Sequence, residues 1–167
     1  MTISRKPGIL STVALALLLL PACTLCQQER VEATGPEVAV IVNPANKIES
    51  ISQAELRRVF FGEKQSWPGG LAIAAFVRAP GTRERDVLLA RVLHISESEY
   101  KAHWIKQIYS GESQHEPLVL VSNGMQLEAV RAEKGGIALI SAKDLHPGVK
   151  VLKVDGHLPG SPEYPLK

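Results

Sequence analysis

"FVRAPGTRERDVLLARVL", Phe76–Leu93, is the stretch on which the reading of this chain turns. An apolar run ends in Arg78, a Pro80-Gly81 turn follows, and an amphipathic segment opens at Thr82. β-Branched and aromatic residues stopped by Pro-Gly mark the end of a strand, and a threonine ahead of a periodic apolar run marks the start of a helix. Two readings of the junction stand side by side. It is an ordinary strand–turn–helix with Thr82 as N-cap and Arg78 in solvent. Or it is an anion site, in which N–H groups at a helix start collect negative charge beside an arginine.

The same grammar recurs on both sides. Apolar, β-branched runs predict strands over 37–44, 71–78, 117–122, 137–141 and 149–154, and the segments between them carry helical periodicity over 50–62, 82–93, 96–111 and 123–136. Ser52 with Glu55, and Ser96 with Glu99, have the spacing of a capping box, and Gly62 supplies a helix stop. Leu56, Val59 and Phe60 share one helical face, and Tyr100, Trp104, Ile105 and Ile108 share another that reads as core. The Pro- and Gly-rich tail over 155–167 is expected to lie as an extended arm. Strands alternating with helices predict an α/β domain with a mainly parallel sheet.

The first 22 residues carry two charges, Arg5 and Lys6, ahead of the apolar run Ile9–Leu20. That pattern reads as an export signal, too short to span a bilayer that needs about 20 apolar residues. "LPAC", ending at Cys23, resembles the lipobox of bacterial lipoproteins, which implies a lipid-modified Cys23. Polar residues 23–36 then form a tether, and 37–167 one domain with a real core. Cys26 lies on that tether with no evident role. Without the leader's two bases the 19 Lys and Arg come level with the 17 Asp and Glu, so no basic field points to nucleic acid.

Chemistry is sparse. The five histidines, at 94, 103, 115, 146 and 157, show no i,i+4 pairing, and two cysteines three residues apart give no metal spacing. Ser122 lacks the glycines of a nucleophile elbow, and Gly69-Gly70 and Gly135-Gly136 do not form a phosphate loop. The chain therefore reads as a non-enzyme without metal or cofactor. What stands out is a second strand–turn–helix junction, "VLVS-NGM-QLEAV". Ligands of open α/β sheets gather at the carboxyl ends of strands. Two helix starts there, with Arg78 or Arg83, suit a small oxyanion.

Four stretches in order resemble phosphate-type periplasmic substrate-binding proteins, the type 2 fold. They are "VIVNPANKIESISQAELRRVFFGEKQSWPGG", "VRAPGTRERDVLLARVL", "VLVSNGMQLEAVRAEKGGIALIS" and "DGHLPGSPEYPL", together spanning roughly 38–166. The resemblance implies a single lobe of that fold, with a mainly parallel or mixed sheet flanked by helices. It implies export to the periplasm or cell envelope, a phosphate-like ligand and a link to ABC transport. By position, Arg78, Gly81 and Thr82 match the family's first binding turn. Ser122 and Asn123, with Gly124 beside them, match the second, and Arg83 enters on charge alone. Phosphate binders carry "R--GSGT", whereas Arg78-Ala79-Pro80-Gly81-Thr82 is two residues shorter. The alternative expectation is an envelope protein-interaction module built on the open face of the lobe.

Overall fold

The computed structural model describes residues 37–113 and 116–167. The segments expected as export signal and tether, with Cys23 and Cys26, and His115 lie outside the described residues. β1, Val38–Val42, has no exposed residue on either face, which is why its five residues are an unbroken apolar run. It lies in a five-stranded sheet of order β4-β3-β5-β1-β6. β3 (Ala74–Arg78) runs parallel to β4 (Leu118–Leu120) on one side and β5 (Gly136–Ser141) on the other. β1 is antiparallel to β5, pairing Val38 with Ser141 through Val42 with Ile137, and antiparallel to β6 (Lys150–Val151). The architecture is a mixed α/β sheet flanked by helices.

Side-chain alternation along the strands sorts the core into two layers. Val38, Val40, Val42, Val77 and Leu139 face α1 (Gln53–Phe60), the wide π-type turn Leu88–Leu93 that continues α2 (Arg83–Val87), and α3 (Glu97–Tyr109). Ile41, Phe76, Ala138 and Ile140 face α4 (Asn123–Ala132). The cap signals hold. Ser52 accepts from the Glu55 N–H at the start of α1, and Ser96 with Glu99 closes a full capping box on α3. Gly62 ends α1 at φ +75°, and a Cβ there would meet the Trp104 ring at 2.8 Å, so both its handedness and its smallness are required. Arg85 ties α2 to α3. Buried, it donates Nε and Nη2 to Glu97 at 2.9 and 3.0 Å and lies 4.0 Å over the Tyr100 ring. Burial pushes the Tyr100 phenol up to about 12 even with Arg85 beside it.

Several expectations are corrected. Ser50–Ile51, just ahead of the Ser52 cap, adds a short strand, β2, pairing in parallel with β7 (Lys153–Val154). The run 149–154 is therefore not one strand: fully buried Leu152 separates β6 in the large sheet from β7 in the small one. The tail, expected as an extended arm, is pinned along β1. The Val38 N–H donates to Leu166 O at 3.0 Å, the Tyr164 hydroxyl to Val38 O at 2.8 Å, and both side chains are buried. On α3 only Tyr100 and Trp104 face the core, whereas Ile105 is 57% and Ile108 43% exposed. One face of 100° accommodates positions 100 and 104; 105 and 108 turn past its edge.

Trp104→Ala should therefore cost about 3–5 kcal/mol in a denaturant titration, the range for large aromatic truncation in a core. Ile105→Ala should stay within about 0.5 kcal/mol, as surface changes do. Equal losses at the two positions would contradict this packing.

Candidate functional site

The parallel strands β4, β3 and β5 all end on the same side of the sheet, and three turns meet there. Arg78 is the last residue of β3, and its Nη1 donates to Leu120 O, the end of β4, at 3.1 Å. After β4, Ser122 caps α4 by accepting from the Met125 N–H at 3.1 Å, which places Asn123 and Gly124 in the first turn. After β5, one 3-10 turn over Ala142–Asp144 brings Asp144 to the same place. Arg78, Ser122, Asn123, Gly124, Leu127, Asp144 and His146 line a cleft of about 410 Å³.

A chain of charged and polar groups crosses the cleft floor. Arg78 Nε stands 3.6 Å from Glu84 Oε2, with side-chain exposures of only 11% and 8%. Asn123 Nδ2 donates to Glu84 Oε1 at 2.8 Å and to Asp144 Oδ2 at 2.7 Å. Asn123 thus spans two carboxylates with its two N–H groups, and its Oδ1 is buried without a partner among the described residues. Beneath them Gln126, wholly buried, accepts from the Arg78 backbone N–H at 3.2 Å through its carbonyl oxygen and donates to Leu139 O through its amide nitrogen. This pins the end of β3 to α4 and β5.

The reading of the opening stretch as an ordinary junction, with Thr82 capping the helix and Arg78 in solvent, does not describe what forms here. Arg78 is not in solvent. Thr82 occupies the N-cap position of α2, yet its side chain makes no cap bond and donates instead to Ala79 O at 2.8 Å. Gly81 takes φ +79°, the left-handed conformation that only glycine adopts freely, with open space around it. Gly81, Thr82 and Arg83 do not line the cleft, and Arg83 is exposed at the start of α2. Of the seven residues singled out from sequence, the cleft gathers Arg78, Ser122, Asn123 and Gly124. Sequence reasoning missed Glu84, Asp144 and His146. Asp144 carried a usable signal, lying three residues past a parallel strand where α/β sites form. Glu84 carried none, since an acidic residue in a first helical turn is ordinary.

No protein-family model and no curated protein sequence matches the chain. Solved structures resemble it. A putative phosphate ABC transporter substrate-binding protein with bound phosphate from Clostridium perfringens matches with TM-score 0.60 at 17% identity, over 74% of this chain and 46% of its own. PstS from Borrelia burgdorferi matches with TM-score 0.61 at 17% identity, over 78% of this chain and 53% of its own. An ABC-type phosphate transport receptor from Vibrio cholerae matches with TM-score 0.59, also at 17% identity, over 74% and 48%. The chain spans about half the length of these proteins. The fold is that of a periplasmic-binding-protein lobe.

Burial reverses one consequence of an exposed Arg78. Removing it strands Glu84 in a low-dielectric site, so Arg78→Ala should destabilise the fold by about 3–5 kcal/mol, the cost of breaking a buried pair. Arg78→Met with Glu84→Gln should recover most of that loss in urea denaturation. A loss below 0.5 kcal/mol for Arg78→Ala, the range of roughly surface-like changes, would show that the pair is solvated.

Proposed function

We propose that this chain is an exported solute-binding-type lobe, lipid-anchored at Cys23, that holds a small phosphate-like oxyanion at the carboxyl ends of β3 and β4. The domain boundaries that go with this are an export signal over 1–22, a tether over 23–36 and the lobe over 37–167. It works without turnover, in association with an ABC transporter or another envelope protein. The observation that carries the reading is the placement of Arg78. Nη1 is fixed by Leu120 O, Nε faces Glu84, and Nη2 makes no hydrogen bond to a described residue. The guanidinium is thereby oriented before any ligand arrives, on the floor of a cleft that is also lined by the first turn of α4.

Isothermal titration with phosphate and sulfate tests this, carried to millimolar concentration because an open half-site binds weakly. Heat of binding that disappears in Arg78→Lys, which keeps the charge but loses the planar fork, supports the site. No heat with either anion removes it. The anchor is tested separately: intact mass of the membrane fraction should carry a lipid increment that Cys23→Ala abolishes.

A second reading draws on the outer edge of the sheet. Among the described residues β4 has a neighbour on one side only, and Leu118 (59%), Val121 (69%) and Met125 (45%) are exposed at or near it. Uncharged apolar surface along an open strand edge suits a protein contact. If neither anion binds, the lobe acts as an envelope interaction module.

A further inference from the structure

The cleft holds a second carboxylate, which only a donor on the ligand can satisfy and a fully ionised oxyanion cannot. Glu84 compensates Arg78. Asp144 remains: half-buried, held by Asn123 Nδ2, and without a Lys, Arg or His in ion-pair distance among the described residues. It lines the same cleft as the guanidinium and is linked to it through Asn123 and Glu84. A second carboxylate opposes a bare dianion, because like charges in a shared low-dielectric site repel. At about 410 Å³ the cleft also falls in the range of small organic ligands of roughly 300–1,000 Å³.

We propose that the ligand is a small zwitterion, with an oxyanion head on Arg78 and an ammonium group on Asp144; amino-substituted phosphonates or phosphate monoesters are the class. This rests on the oxyanion reading of Arg78 and adds the second pole. Asn123 is then the positioning residue. Its two N–H groups hold Glu84 toward Arg78 and Asp144 toward the cleft, so a negative and a positive recognition point are kept a fixed distance apart. The leucine wall at Leu127 suits the short carbon link between the poles. Ser122 and His146 at the lip offer further polar contacts to the head.

The test is calorimetry on the full-length chain with three probes: 2-aminoethylphosphonate, ethylphosphonate and inorganic phosphate. The first two differ only in the amine. The expected result is 2-aminoethylphosphonate binding about tenfold or more tightly than ethylphosphonate, the fold-change of one charge-assisted hydrogen bond. Asp144→Asn, nearly the same shape, should erase that difference by weakening the amine-bearing probe alone. The wild-type comparison stands by itself if the variant does not fold. Ethylphosphonate or phosphate binding as tightly as 2-aminoethylphosphonate overturns the zwitterion and leaves the oxyanion site in place, and so does an Asp144→Asn loss shared equally by all three. Silence from all three at millimolar concentration overturns the oxyanion reading, and the zwitterion with it.

Discussion

Everything in this lobe is arranged around the burial of β1. A strand with no exposed residue must be paired on both edges and covered on both faces, since each unpaired backbone group there would cost free energy of the order of a lost hydrogen bond. β5 and β6 supply the edges, while α1 and α4 lie on opposite faces. The antiparallel direction of β1 then fixes where the chain enters. Val38 lies opposite Ser141, so residue 37 emerges at the carboxyl ends of β3, β4 and β5, beside the cleft. The C-terminal arm returns to the same end through Leu166 and Tyr164, and Glu37 lies 3.5 Å from Lys167. Both ends of the described domain and the cleft therefore share one side of the molecule.

Asn43 shows how far this constraint reaches. It follows β1 directly and is buried, and its Nδ2 donates to the carbonyls of Val130 and Arg131 at 3.0 and 2.9 Å. Those are orphan acceptors at the end of α4, the helix whose first turn carries Asn123. One side chain thus ties the central strand to the far end of the helix that builds the cleft. The Asn-Pro of the sequence reads locally as a strand stop, and its structural role is a helix C-terminal cap.

Local chemistry made much of this legible. Caps at Ser52 and Ser96 and the stop at Gly62 depend on residues within four positions of one another, so periodicity and cap residues located α1 and α3. The direction of β1 was not legible, because a strand buried on both faces has the same composition whether its neighbours run with it or against it. The split at Leu152 was hidden for a related reason: changing sheets needs no breaker residue when the strands are two residues long. Ile105 and Ile108 misled because apolar periodicity predicts a face and its width is set by tertiary packing. In the cleft, Arg78, Ser122 and Asn123 were marked by their turns. Glu84 and Asp144 become significant only through Asn123, whose two N–H groups join segments 39 and 21 residues away.

On the proposed oxyanion reading, that bridge also changes what kind of recognition the cleft can perform. A lone arginine at a strand end attracts any anion, and selectivity must come from elsewhere. Here Glu84 lies against the guanidinium within a nearly buried pair, so long-range attraction is largely cancelled and short-range geometry is left to discriminate. Fixed direction is what a planar guanidinium does best. The open cleft adds to this demand. A ligand held on one side keeps much of its hydration, so each charge contact is weakened by the water that remains. Affinity must then come from several matched contacts rather than from one strong attraction. An uncompensated carboxylate across from an oriented guanidinium supplies a second contact of opposite sign, and a ligand that satisfies both is favoured over one that satisfies either.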